Sequence, residues 1–370
     1  MNIGSSFTRA YIADPGQPAE WVRDRLEAGV FRGIEDGLDS AVGFLPFDNP
    51  DCRAFQATDH IKGEYCAFRF VKHKKRVPGS VLRMRVDEQV ENFKAASGRK
   101  PSRAELARMR ENMEAVLLAQ AFSMPAGCVI IWHLASGRML IGSTGAGMVD
   151  DFLQYFEKVF QLYPQFQFHS RWALRVLIDR KLKDRLKSQF SWNDPFAVSD
   201  ARPLGYEFLT WLWYSLERQG STVKLPDGKE AVVSIGDKLT LVAPMDRAER
   251  CLCVSRDNGL YEAREALRRG KVLDEARLWI EGDGNEYGLQ LDSTLQSWKS
   301  LAIPKTPAGD GSRLDQDGLF LSQVGHVETI SGILDTLYGR FLAERLSPTW
   351  ERSIVALMHE WFARTEEEAA

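Results

Sequence analysis

The stretch from Val77 to Ser123 predicts two helices folded back on each other as an antiparallel hairpin. Apolar residues recur at three- and four-residue spacing on both sides of a breaker cluster, Ala96 to Pro101, which favours a sharp turn. Ser102 and Glu105 have the capping-box spacing that is typical of the start of a second helix. A narrow apolar stripe and a short turn are typical of a hairpin that projects from the body of a protein.

The positive charge of the chain is concentrated around this hairpin. Residues 72–110 contain twelve Lys and Arg and four acids, an excess of eight positive charges, although the whole chain of 370 residues carries −3. The remaining residues therefore carry −11. A solvated helix face explains any single lysine here, whereas a cluster this dense in an acidic chain also fits an anionic partner. A second basic segment, residues 171–187, has seven bases and two acids.

The bulk composition indicates a soluble, globular, cytoplasmic protein. The apolar fraction of 44% and the charged fraction of 27% are ordinary for such chains. Five cysteines without paired metal spacing predict reduced thiols. No apolar run approaches the roughly 20 residues of a membrane span, and the N-terminus lacks a signal-peptide pattern, so we expect no membrane partner.

The element pattern predicts an α+β fold made of two blocks of antiparallel sheet and helix, a projecting helical hairpin and C-terminal helices. We expect a separate sheet in each block. Val42 to Pro46 is expected in a turn-rich loop, Arg171 to Lys187 in a single basic helix, and Leu319 to Leu346 and Thr349 to Arg364 in long helices. The predicted division is 1–76 with 122–200 for the first block, 77–121 for the hairpin, 201–305 for the second block and 306–370 for the C-terminal helices.

The motifs that resemble catalytic or cofactor sites each lack residues that such a site requires. Gly142 to Gly147 lies between a strand and a helix, as phosphate loops do, but Met148 and Val149 follow where a Walker motif needs Lys and Ser or Thr. Glu281 to Glu286 resembles a calcium loop without the required acid at its twelfth position. The six histidines show no metal-binding pairs, and most of the tryptophans stand in apolar runs typical of core packing. Asp150, Asp151 and Glu157 leave a nuclease site open, because the sequence alone does not show whether acids converge in space. Because no motif for a cofactor or a catalytic site is complete, we expect no cofactor and no catalytic residue.

Several short motifs, in order along the chain, resemble the RdgC family of recombination-associated proteins. They comprise Val42 to Pro46, Lys75 to Val81, Ala121 to Ser123, Ile130 to Trp132, Gly137 to Ile141, Gly270 to Leu273 and Leu278-Trp279. The resemblance covers roughly residues 42–346. It implies a protein that binds DNA without strong sequence preference, forms a ring-shaped homodimer around duplex DNA and antagonises the RecA recombinase by occupying DNA.

The resemblance also implies where two copies would meet. By position, Phe122 falls at one dimer contact of the family, and Ser255 and Arg256 fall at the other. The chain departs from the family pattern where Ala119 and Gln120 stand in place of Pro-Arg and where Ser255 replaces a basic residue. The segment 171–187 and the final helix resemble additions to the family pattern.

The leading hypothesis is a non-enzymatic, nucleoid-associated homodimer that binds duplex DNA through phosphate contacts and modulates RecA-dependent recombination. The candidate phosphate contacts are Lys72, Lys74, Lys75, Arg76, Arg83, Arg85, Lys181, Lys183 and Arg185. Two alternatives stay open: a metal-dependent exonuclease, and an interaction scaffold whose hairpin docks another protein.

Overall fold

A computed structural model describes residues 3–35, 37–56, 60–166, 169–189, 202–244, 246, 248–254, 260–294, 296–305 and 313–363. Within these ranges, thirteen strands form a single antiparallel sheet. The strands are β1 (Phe7–Tyr11), β2 (Ser40–Pro46), β3 (Ile61–Lys62), β4 (Tyr65–Lys75), β5 (Ser123–His133), β6 (Arg138–Ile141), β7 (Gln165–Phe166), β8 (Thr222–Lys224), β9 (Glu230–Val242), β10 (Arg250–Val254), β11 (Val272–Gly282), β12 (Asn285–Asp292) and β13 (Ser297–Ala302). The main path runs β10-β9-β11-β12-β13-β1-β6-β5-β4-β2, with β3, β7 and β8 pairing to β4, β1 and β9.

The first strand joins the strands of the two predicted blocks. β1 pairs with β6 on one side, where Thr8 lies opposite Ile141, and with β13 on the other, where Phe7 lies opposite Trp298. The α+β class and the antiparallel pairing are confirmed, but the expectation of a separate sheet in each block is wrong. The two sets of strands form adjacent runs of one sheet, because β1 pairs with strands from both.

The described helices are α1 (Ala19–Ala28), α2 (Gly79–Ser97), α3 (Arg103–Gln120), α4 (Ala146–Phe160), α5 (His169–Val176), α6 (Arg180–Gln189), α7 (Arg202–Arg218), α8 (Tyr261–Arg268), α9 (Arg313–Arg345) and α10 (Ala356–Ala363). A π-helical turn, Glu351–Val355, leads into α10. None of these described helices combines the length and the apolar character needed to cross a membrane.

Two local predictions are wrong. The single helix expected over 171–187 is two helices, since Asp179 begins α6 by accepting hydrogen bonds from the backbone N–H of Lys181 (2.7 Å, side chain) and Lys183 (3.0 Å, carbonyl). The stretch from Val42 to Pro46 lies in β2, not in a loop. Gly43 is required in this strand because a Cβ there would stand 2.5 Å from the Cα of Phe31.

Alternating side chains of the sheet face two hydrophobic cores. On β5, Ile130 and Trp132 pack with α1 and α4, whereas Val129 and Ile131 belong to the larger core with α7 and α9. Each core therefore lies between one face of the sheet and the layer of helices packed on that face.

The long helix α9 is tied by polar contacts to elements along its whole length. Near its start, Asp317 pairs with the fully buried Lys62, which also pairs with Asp48. In its middle, Glu328 accepts from Arg138 at 2.6 Å. At its end, Glu344 accepts from the indole N–H of Trp211 on α7 at 2.8 Å, so α9 is tied both to strands of the first run and to a helix of the larger core.

Candidate nucleic-acid interface

The predicted hairpin is present as α2 and α3. Gly98 ends α2 in the left-handed region, with φ of +66°, and its N–H donates to the Lys94 carbonyl at 2.9 Å. Ser102 and Glu105 form the predicted capping box at the start of α3. α2 buries only Leu82 and Val86, and no residue of α3 is buried. The hairpin is therefore anchored at the base of α2 and is exposed along the rest of its length.

The helix boundaries show where the positive charge of the hairpin lies. α2 and α3 each contain three bases and three acids, so both helices are neutral. The excess lies at the base, where Lys72, Lys74, Lys75 and Arg76 precede α2, and at the tip, where Arg99 and Lys100 lie. At the tip, Arg99 donates to both carboxylate oxygens of Glu105, at 2.7 and 2.8 Å. The base is thus the part of the hairpin with the largest uncompensated charge.

The four base residues follow the alternation of β4. Lys72 and Lys74 continue the face of Phe68 and Phe70, which pack on α4, and Lys75 lies on the opposite face. Lys72 pairs with Asp151 of α4, so its charge is compensated within the chain.

Lys74, Lys75 and Arg76 differ from Lys72 in having no described ion-pair partner. Lys74 and Arg76 are exposed and Lys75 is half-buried. Among the described residues, none of these three has a carboxylate within ion-pair distance.

The two predicted arginines of α2 differ in the same way. Arg83 and Arg85 are both exposed in the first turns of the helix. Arg85 donates to Glu88 at 3.0 Å, whereas Arg83 has no ion pair within the described part of the chain. Arg83 therefore extends the uncompensated charge of the hairpin base by one side chain.

The second basic group lies on a different element. α6 carries five bases and one acid, and its buried Leu186 belongs to the core that contains α9. Lys181 is exposed and Lys183 half-buried, whereas Arg185 donates to the Leu346 carbonyl just past the end of α9, at 3.1 Å. Arg185 thus has a structural partner, and Lys181 and Lys183 remain the better phosphate candidates of this group.

An exposed apolar group, Phe122 and Met124, lies at the hairpin base. Phe122, in the junction between α3 and β5, is 93% exposed, and Met124 beside it is 62% exposed. Leu106 and Val116 of α3, which the sequence pattern assigned to the packed stripe, are 41% and 52% exposed. Sequence reasoning missed Met124 and this exposure, because a helical stripe does not reveal how much of it the neighbouring helix covers. Ser255 and Arg256 lie outside the described residues.

Among the described residues, no three or more His, Cys, Asp or Glu side chains cluster in a way that could hold a metal ion. Asp150, Asp151 and Glu157 all lie on α4, and Asp151 is engaged by Lys72. Gly142 to Gly145 connects β6 to α4, and Asp283-Gly284 forms the turn between β11 and β12.

Part of the chain matches a model of a known protein family. Residues 13–191 match the family model described as "Putative exonuclease, RdgC". No curated protein matches the chain significantly. The matched range contains the hairpin, its basic base, Phe122 and α6, so the candidate interface lies within the part of the chain to which the match applies.

Proposed function

Residues 13–191 belong to the RdgC family, and from this premise we propose that the protein binds duplex DNA without strong sequence preference, as a homodimer that modulates RecA-dependent recombination. In this proposal it acts in the cytoplasm on nucleoid DNA. DNA is contacted through the phosphate backbone, which presents the same negative charges whatever the base sequence.

The observation that supports this proposal most directly is the row of uncompensated cations at the hairpin base. Lys74, Lys75 and Arg76 are consecutive, and Arg83 lies about one turn into the adjoining helix. Because no described carboxylate pairs with them, each is available to an external anion. A phosphate contact would release condensed counterions from DNA, and this release is the main source of sequence-independent affinity.

The negative charge of the rest of the chain is compatible with this role. Residues outside 72–110 carry −11 in total although they include basic α6, which favours solubility and disfavours contact of DNA with the surface outside the hairpin base and α6. Association with an anionic polymer would then be directed to the basic elements, the hairpin base and α6.

A salt titration of binding tests the proposal. We expect the triple variant Lys74→Gln, Lys75→Gln, Arg76→Gln to weaken binding to unrelated duplexes equally. The slope of log affinity against log salt should become shallower by about 1 for each phosphate that is no longer neutralised. The matched control removes three exposed charges elsewhere, Lys158→Gln, Arg218→Gln and Lys305→Gln, and should leave the slope unchanged. Binding by the triple variant with the wild-type slope would reject these residues, and no gel shift of any duplex by wild type at low salt would favour the protein-scaffold alternative.

The family description names an exonuclease, and the chain can be tested for that activity separately. We expect end-labelled duplex DNA to keep its length during incubation with the protein and Mg²⁺ or Mn²⁺, since a nuclease needs carboxylates that converge on metal ions. Metal-dependent shortening that co-purifies with the protein through two chromatographic steps would overturn this expectation.

A further inference from the structure

A cavity of about 740 Å³ opens beside α5, and none of the residues proposed to contact DNA lines it. Its walls come from β1, β6, β7, α5 and α9, and they include Arg138, Arg171, Arg175, Tyr11, Gln165 and Phe166. This volume lies within the range of small-molecule sites in proteins. Three arginines and three aromatic side chains, including Trp172, are suited to an anion that carries a planar ring.

Two of the arginines are oriented by carboxylates of α9. Arg138 donates to Glu328 at 2.6 Å, and Arg175 donates to both oxygens of Asp335, at 3.2 and 3.4 Å. Asp335 also accepts from the indole N–H of Trp172. Both carboxylates are therefore already neutralised, and they hold their arginines at the cavity wall.

Arg171 differs from the other two arginines, since no ion pair joins it to a carboxylate in the described part of the chain. It is half-buried in the first turn of α5. Burial lowers the pKa of its guanidinium below the ordinary value, which indicates that water solvates this charge incompletely. An anion in the cavity would supply the missing partner, and the planar fork of a guanidinium matches phosphate oxygens in a bidentate arrangement.

The wall of the cavity next to Arg171 is rigid and aromatic. Trp172 is fully buried, its ring stacks on Tyr338 with centroids 4.2 Å apart, and Arg9 lies over it at 4.5 Å. The pairing of β7 with β1 holds Gln165 opposite Tyr11. Phe166 and Tyr11 offer flat apolar faces, and the Gln165 amide offers both a donor and an acceptor.

We infer that this cavity binds a nucleoside monophosphate, with the phosphate on Arg171 and the base between the aromatic side chains and Gln165. The same chemistry occurs in a free nucleotide and at the phosphorylated end of a DNA strand. The site uses none of the residues proposed to contact the duplex, so it stands whether or not that proposal holds.

Calorimetric titration of the full chain with AMP, adenosine and inorganic phosphate tests the inference. We expect AMP to bind with a Kd below about 1 mM. Adenosine and phosphate should each bind about tenfold more weakly or worse, because each lacks one half of the recognised group. Dinucleotides with and without a 5′-phosphate then distinguish the sources. Tighter binding of the phosphorylated dinucleotide than of AMP would assign the site to strand ends, and the reverse order to free nucleotides.

Two variants and a control separate recognition from loss of folding. Arg171→Gln should weaken AMP binding about tenfold or more, whereas Arg180→Gln, which removes an exposed arginine of α6 outside the cavity, should not change it. Phe166→Leu keeps an apolar side chain and should weaken binding of AMP but not of inorganic phosphate. The inference is overturned if wild type does not bind AMP, if phosphate binds as tightly as AMP, or if Arg171→Gln retains wild-type affinity.

Discussion

Glu275 on β11 is a carboxylate shared by four neighbouring strands. One oxygen accepts from Lys299 at 2.8 Å, and the other accepts from Gln290, Arg250 and Thr240 at 2.9, 3.1 and 3.3 Å. These donors lie on β13, β12, β10 and β9. A single side chain thereby links the strands of the second run of the sheet.

The surroundings of Glu275 make its contribution to stability depend on pH. Burial alone would raise its pKa, but the hydrogen bond from Lys299 and the charges of Lys299 and Arg250 outweigh burial, so the pKa lies below the ordinary 4.5. A carboxylate with a depressed pKa stabilises the fold above its unfolded-state pKa and loses that contribution as pH falls through the folded-state value.

We therefore expect Glu275→Gln to lower the Tm at pH 7 and to have a smaller effect below about pH 4. Thermal unfolding followed by circular dichroism across this range measures the difference. Glu281→Gln, on the same strand but exposed, serves as the control and should shift the Tm little at either pH. A Tm difference between wild type and Glu275→Gln that stays constant with pH would contradict the assignment.

At the scale of elements, the helical hairpin depends on its turn more than on packing. Gly98 has a left-handed φ of +66°, and a Cβ there would meet no atom within 4 Å. The cost of Gly98→Ala is therefore purely conformational, about 1 kcal/mol. Because α3 buries no side chain, this cost should appear as local opening of the hairpin.

Hydrogen exchange measures that opening. We expect Gly98→Ala to reduce amide protection in the last turn of α2 and the first turns of α3 about fivefold, while exchange in the sheet core stays unchanged. Gly79→Ala at the start of α2 also has open space around the added methyl and no left-handed φ, and it should leave protection equal or higher. Equal protection in wild type and Gly98→Ala would show that the turn does not limit hairpin stability.

The elements that the sequence predicted well are those with local signals. The hairpin was expected over 77–121 and is observed over 79–97 and 103–120, because the breaker cluster and the Ser102 cap are readable in a short window. The continuous sheet was not predictable in this way, since it depends on the pairing of Phe7 with Trp298, which lie far apart in the sequence. Asp179 likewise divides a basic segment whose charge pattern alone suggests one helix.

The candidate site shows the same limit. Counting charge from 72 to 110 left out Glu111 and Glu114, which neutralise α3, and the sequence did not reveal that Lys72 meets Asp151. Lys74, Lys75 and Arg76 were identified from charge density alone. That no described carboxylate pairs with them is a property of three-dimensional placement, and the same holds for Arg171 in its cavity.

For the whole molecule, the proposed homodimer can be tested at the exposed apolar group of the hairpin base. We expect Phe122→Ser to weaken self-association about tenfold or more, because a large aromatic side chain that is 93% exposed in one copy is suited to a buried contact between copies. Sedimentation equilibrium over a range of protein concentrations measures the dimer Kd.

Ile178→Ser provides a matched control for this measurement. Ile178 is 96% exposed but lies in the connection between α5 and α6, which is not part of the hairpin. Dimerisation should survive this change. If both variants associate like wild type, or if wild type is monomeric at every concentration, Phe122 is not a contact between copies.

β1 pairs with both β6 and β13, and α9 is held to β3 by the ion pair of Asp317 with Lys62. The two runs of strands therefore cannot separate without breaking backbone hydrogen bonds. We therefore expect each copy to move as one unit in the proposed homodimer. If two copies enclose a duplex, the gate through which DNA enters must lie where copies meet, and the lifetime of a trapped duplex would then follow the rate at which those copies part.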